Sequence, residues 1–316
     1  MVKKSSPTHG SLQFWPRVRS KDHLARVRSW TKNKDAKPVG FMGYKVGMAH
    51  YYGSEQEGKK TIFHSVPVTI IECPPLKILS VRFYNNNKLV TEVLCPNLDK
   101  ELSRTIKLPK NSLKKLDDVK ENFTDIRLNV YSQPKSTTIG KKKPDVFELP
   151  VGGNKDDQLS WVKDNLEKEI NVKDIFEEQS LIDTHSVTTG KGFQGVIKRF
   201  GVRLKSHKSE KGQRAVGARS GGWTSHAHMM WRVPQPGKMG YHTRTDYNKV
   251  IMKIDDNLET INPINGFRAY GLVKNPYIII KGSVSGPVKR AIKLSFPTRP
   301  NKKLLKSKIK FEKVIL

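Results

Sequence analysis

The stretch from residue 198 to residue 244 limits most sharply what this chain can fold into. Its apolar residues keep neither period 2 nor period 3.6 for long, so it has no face to bury as strand or helix. Eleven Lys or Arg lie in it: Lys198, Arg199, Arg203, Lys205, Lys208, Lys211, Arg214, Arg219, Arg232, Lys238 and Arg244. One acid, Glu210, answers them. Like charges at this density repel, so the segment needs an outside polyanion to order it. A structureless run of this length is uncommon in a compact domain unless it is functional. Trp223, Trp231 and Tyr241 are interleaved with the cations, and His226, His228 and His242 lie among them. Flat faces beside Lys and Arg suit unpaired bases and their phosphates. A disordered basic linker is the plainer reading, but linkers rarely carry two Trp, three Met and a turn such as Pro234 to Gly237.

Charge is partitioned along the chain. Of a net +30, residues 1–37 hold +8, residues 198–244 hold +10 and residues 281–310 hold +10. The other 202 residues account for +2. A nearly neutral body with three basic extensions implies a large polyanion touched at several places. In the first extension, Trp15 and Trp30 accompany Arg17, Arg19, Lys21, Arg26 and Arg28, an arm suited to stacking on nucleic acid; the alternative is a free tail. Within the last, Lys289 and Arg290 open an alternating basic strand that grades into a tail.

The body reads as mainly β. Closely spaced glycines among bulky apolar residues at 39–50 suggest a strand with tight backbone approaches. Residues 61–72 and 76–84 read as strands, the second ended by Asn85, Asn86 and Asn87. From 85 to 180 acids appear. Here a short helix is expected at Asn111 to Leu116, a strand at 123–131, and a helix over 157–170 capped by Asp156. Strands return at 181–188, 246–254, 267–273 and 276–281, where Tyr277 to Ile280 suits burial on both faces. The resulting division is a basic arm (1–37), a β-barrel in three parts (38–84, 181–197, 246–296), an inserted α/β module (85–180), an extended basic loop (198–245) and a basic tail (297–316). The expected core includes Val68, Ile70, Ile78, Val81, Val187, Ile251, Ile254, Val273, Ile278 and Ile280.

Catalytic chemistry finds little support. Gly190 to Gly195 spells G-x-G-x-x-G, but a dinucleotide fingerprint needs a following helix and an acid about 20 residues on. A basic, glycine-broken run follows instead. Glycines that let backbone approach phosphate, beside Lys191, Lys198 and Arg199, fit better; a mere structural turn is the alternative. His226 and His228 lack a third metal ligand nearby. The carboxylate pairs Asp117-Asp118, Asp156-Asp157 and Asp255-Asp256 read as solvated surface. Cys73 and Cys95 match no metal spacing or disulfide framework and read as free thiols. No apolar leader or run of 18 apolar residues occurs, so neither secretion nor membrane spanning is expected. No cofactor, metal, small-molecule substrate or enzymatic activity is expected.

Four separated blocks coincide with one family. Gly43-Tyr44-Lys45-Val46-Gly47-Met48 resembles its early G-Y-K-A-G-M block. Residues 189–199 resemble K-G-K-G-F-Q-G-V-I-K-R, and Pro236 to Thr245 is similar to G-Q-M-G-Y-H-x-R-T. Lys281 to Pro287 resembles G-S-V-P-G-P, with Ser285 where Pro is usual. By this order the chain resembles the family of the third protein of the large ribosomal subunit, in its archaeal and eukaryotic version. The resemblance implies a translation-protein-type β-barrel with an α/β insertion, binding to 23S-type rRNA, neighbouring large-subunit proteins as partners, and a cytoplasmic ribosomal location. It also implies a long loop reaching toward the peptidyl transferase centre with Trp223 at its tip. The competing functions are a nucleotide-dependent enzyme, which the absent acid partner disfavours, and a free basic nucleic-acid-binding module, which sedimentation with the large subunit would exclude.

Overall fold

Strand structure begins where the basic arm ends. β1 (Gly40–Glu57) and β2 (Lys60–Glu72) form a long antiparallel pair, registered from Tyr44 opposite Glu72 to Glu57 opposite Lys60. The glycines of β1 permit the close packing expected of them. A Cβ on Gly43 would lie 2.5 Å from the Ile71 side chain and 2.7 Å from the Glu72 carbonyl. The computed structural model describes residues 10–57, 60–109, 114–116, 119, 123–204, 231, 233–305 and 310–315. The chain divides into two units, a smaller one of residues 1–22 with 187–243 and a larger one of residues 23–186 with 244–316.

After β2 come β3 (Leu76–Asn85) and β4 (Lys88–Leu94), then β5 (Asp125–Ser132) and β6 (Val146–Pro150). Asn86 and Asn87, both at positive φ, make the two-residue turn between β3 and β4. Helix α1 (Lys155–Asn165) precedes β7 (Leu181–Val187). The chain continues through β8 (Phe193–Gln194), α2 (Val196–Phe200), β9 (Gly237–Lys238), β10 (Thr243–Asp255), β11 (Tyr277–Lys281), β12 (Ala291–Ser295) and β13 (Lys310–Ile315).

The larger sheet has the order β12-β7-β10-β11-β2-β1-β13, and β12 also pairs with β1. That second pairing closes six strands into a ring. One edge of β1 serves two partners: residues Gly40 to Tyr44 pair with β12, and His50 to Ser54 pair with β13. The class is mainly β, as expected, but the ring is not a regular barrel. β1, β2 and β13 run on as a ribbon, and register shifts interrupt β1 at 45–47 and β10 at 251–253. The ending differs from a plain basic tail, since β13 lies within it.

β4, β3, β5 and β6 form a second sheet in that order. The strand expected at 76–84 therefore exists, but it pairs here and not in the ring. α1 lies close to the expected helix, with two corrections. Its N-cap is Asn154, not Asp156, and it stops at Asn165 because the backbone of Ile170 turns away to exchange hydrogen bonds with Leu76, at 3.0 and 2.8 Å. Buried Gln158 ties the helix down: its Oε1 accepts from Ile126 N (3.1 Å) and its Nε2 donates to Val151 O (3.0 Å). Of the short helix expected at Asn111 to Leu116, residues 111–113 lie outside the described residues, and Lys114 and Lys115 are not helical.

All ten residues expected in the core are buried, and Tyr277 to Ile280 are buried on both faces. Phe41, Ile70 and Ile278 of the ring join Val81, Leu128 and Leu149 of the second sheet in one continuous apolar cluster. Full burial of each such side chain contributes about 1.5–3 kcal/mol. The strand expected at 267–273 is instead a turn, with a single bridge between Phe267 and Gly271. Ala269 and Gly271 adopt positive φ, which a strand excludes. The buried Glu72 carboxylate takes up donors of the same loop, accepting from Tyr270 Oη, Lys274 N and Asn275 N.

Candidate nucleic-acid interface

Two glycine-bearing blocks far apart in sequence meet in the smaller unit. β8 and β9 place Phe193 opposite Lys238 and Gln194 opposite Gly237. Lys191 N donates to Met239 O and Met239 N to Gly192 O, both at 2.9 Å. Tight approach dictates the glycine at 240: its φ is +76°, and a Cβ there would lie 2.1 Å from Thr189 O. The long basic segment thus starts and ends on one small backbone platform.

The N-terminal arm is stitched to that platform by backbone groups. Ser20 N donates to Tyr241 O at 2.7 Å, and His242 Nδ1 donates to Val18 O at 2.7 Å, which sets the imidazole tautomer. Thr188 N donates to His242 O at 2.9 Å. Two arginines complete the joint. Arg17 donates to Arg199 O (2.8 Å) and lies 4.2 Å over the Phe200 ring. Arg199 donates to Gln235 O (2.8 Å) and Lys238 O (3.1 Å). Burial lowers the pKa of both guanidinium groups, and Arg17 further lowers that of Arg199. Both remain cations at neutral pH. Trp15 stacks on Phe200 at 5.5 Å and meets the edge of Trp231 at 5.4 Å.

The expected RNA-contacting residues therefore separate into groups. Arg19, Lys191, Lys198, Arg203 and Lys238 are exposed and point charge outward. Arg17, Arg199 and Trp15 are half-buried and hold the platform together. Trp231 is largely exposed; Tyr241 and His242 are half-buried. In the larger unit Arg26, Arg28 and Lys289 are exposed, and Arg244 and Arg290 are half-buried. Arg290 and Lys289 border a cleft of about 170 Å³ with His23, Tyr44 and Lys141. Beside it Asp145 accepts hydrogen bonds from His23 (2.8 Å), Tyr44 (2.7 Å) and Lys141. Burial alone would raise the Asp145 carboxyl; those hydrogen bonds outweigh it and hold its pKa below the usual range. Lys205, Lys208, Lys211, Arg214, Arg219, Trp223, His226, His228 and Arg232 lie outside the described residues.

A cleft of about 600 Å³ opens on the platform. It is lined by Arg19, Ser20 and Lys21 of the arm, Gly190, Gly192 and Phe193 of the first block, and Lys238, Met239, Gly240 and Tyr241 of the second. Sequence reading placed Lys21 in the basic arm but missed Phe193 and Met239. A bulky aromatic between glycines, with no apolar periodicity around it, was the available signal for Phe193. Helix α2 was missed too: it follows the glycine block directly but spans only Val196–Phe200, and the left-handed Gly201 ends it. Among the described residues no cluster of His, Cys, Asp or Glu could hold a metal ion. No described helix is long and apolar enough to cross a membrane.

The model of the ribosomal protein L3 family matches residues 1–314. The large ribosomal subunit protein uL3 of Methanocaldococcus jannaschii is 42% identical over 95% of this chain and 93% of its own length. That of Methanobrevibacter smithii is 42% identical over 96% of this chain and 95% of its own. That of Archaeoglobus fulgidus is 41% identical, covering 95% and 94%.

Proposed function

This chain belongs to the ribosomal protein L3 family, and on that premise we propose that the platform and its basic arm are a grip on 23S-type rRNA. The chain is a structural constituent of the large ribosomal subunit and not an enzyme. It belongs to the cytoplasmic ribosome, in a ribonucleoprotein with rRNA and other ribosomal proteins.

One observation carries the finer reading. The segments that meet at the platform are the two ends of the basic loop and the basic arm, and their exposed cations surround one joint. Phosphate contacts supply RNA affinity and register, and unpaired bases supply stacking. Exposed Lys191, Lys198 and Arg203 take phosphates. Arg17 and Arg199 support them by holding the backbone, as their carbonyl partners indicate. From this base the loop would reach toward the peptidyl transferase centre with Trp223 near its tip, and neighbouring large-subunit proteins are further partners.

The test is the salt dependence of RNA binding by the free chain. Each phosphate neutralised contributes about 0.7–0.9 to the log–log slope, so replacing Lys191, Lys198 and Arg203 by Ala should flatten it by about 2–3 units. An unchanged slope would remove these three from the phosphate contacts.

A further inference from the structure

We infer that the cleft on the platform binds one unpaired nucleotide of RNA, with Phe193 as the ring on which its base stacks. This deepens the rRNA reading and rests on it. The starting point is an anomaly of burial. Phe193 is 71% exposed and belongs to no apolar cluster among the described residues. Its backbone is nevertheless held, paired with Lys238 across β8 and β9 and flanked by the reciprocal hydrogen bonds of 191, 192 and 239. A large ring displayed on an ordered backbone with nothing of its own to cover it is a preorganised surface, and preorganisation reduces the entropy lost on binding.

The surroundings specify what covers it. Arg19, Lys21 and Lys238 are exposed cations on the cleft, and among the described residues no carboxylate lines it. A neutral apolar partner would have to desolvate those charges without a counter-ion, which is costly. A ligand that is planar at one end and anionic at the other satisfies both. The cleft's 600 Å³ falls within the span of roughly 300–1,000 Å³ typical of small-ligand sites, room enough for a nucleoside. Gly192, at φ +66° with open space where a Cβ would sit, keeps the approach to the ring clear. Bases in a duplex already stack on their neighbours, so only a bulged or looped nucleotide can offer a free face. Next to the three cations, that nucleotide's own phosphate and its neighbours in the chain anchor it.

The experiment uses the full chain and three RNA hairpins that differ at one position: fully paired, with a single bulged adenosine, and with an abasic bulge there. Affinity is read by fluorescence anisotropy at fixed salt. The adenosine bulge should bind tighter than the paired hairpin by roughly 5- to 150-fold, the range for one base–aromatic stack. The abasic hairpin should lose that gain, which separates stacking from mere flexibility. Phe193→Ala should erase the preference while leaving the paired hairpin's affinity and salt slope as they were; Phe193→Tyr should keep it. Equal binding of bulged and paired hairpins, or a preference that survives Phe193→Ala, would overturn the assignment while leaving the phosphate-binding reading standing. Competition by 5′-AMP as strong as by the bulged hairpin would make the cleft a mononucleotide pocket and also overturn it. If no hairpin binds, the rRNA reading of this face falls as well.

Discussion

The two units are held together by different physics. In the larger one, continuous apolar burial does the work: Ile70, Ile251, Ile278 and Ile280 are completely enclosed. In the smaller one, few apolar groups among the described residues are enclosed, and Phe200 and Val202 are the buried examples there beyond Val187. Backbone pairs and guanidinium-to-carbonyl bonds join its segments instead. A unit built this way leaves its cations and one aromatic ring facing outward. Stability and binding chemistry therefore reside in different units: a packed core needs no partner, whereas a polar joint carrying repelling cations gains most from a polyanion.

The largest effect is expected in the core. Ile278→Ala should cost about 2–5 kcal/mol of global stability, read as a lowered urea midpoint, because the strand has no exposed face along which to relax. A loss below 1 kcal/mol would mean that the ring tolerates a cavity there. Gly240→Ala tests the other unit. The added Cβ meets the Thr189 carbonyl in a left-handed backbone, and the expected local cost is about 1–3 kcal/mol. Amide exchange at Lys191 and Met239 should accelerate while that of Ile279 holds. Equal acceleration at Ile279 would show that the two units open as one.

The smallest effect concerns a polar inclusion in the larger unit. His185 lies between Thr245 and Ser295, 3.0 Å from each hydroxyl. Burial lowers its pKa and Lys293 adds to this, against an opposing pull from Asp183 and Asp246. The folded state thus resists protonation. Above the unfolded value of about 6.5 His185 contributes no pH dependence; as pH falls through that value the unfolded chain takes up a proton that the folded chain refuses, and stability declines. His185→Gln should lessen the decline in unfolding free energy between pH 7.5 and pH 5.5. A steeper decline in the variant would reverse the sign assigned here.

Much of the fold was legible because burial leaves a local imprint. The run at Tyr277 to Ile280 and the alternation around Val68 and Ile70 announce strands wherever they pair. The strand expected at 267–273 failed because its fate is set by Glu72, far back in the sequence, whose carboxylate takes up the donors of 270, 274 and 275. The membership of β3 was equally hidden, since an apolar strand pattern names no partner.

At the candidate interface, the amount and placement of positive charge, the glycine positions and the family are one-dimensional properties, readable from the order of residues. Tertiary structure alone decided what each cation does. Lys198 and Arg199 are neighbours in the chain, yet the first faces solvent and the second clamps the carbonyls of Gln235 and Lys238 on the returning segment. Phe193 likewise reads as an ordinary apolar residue until pairing with Lys238 turns it outward. The physical reason is the same for both. Charge and size belong to a residue, but orientation comes from backbone hydrogen bonds made with segments dozens of residues away.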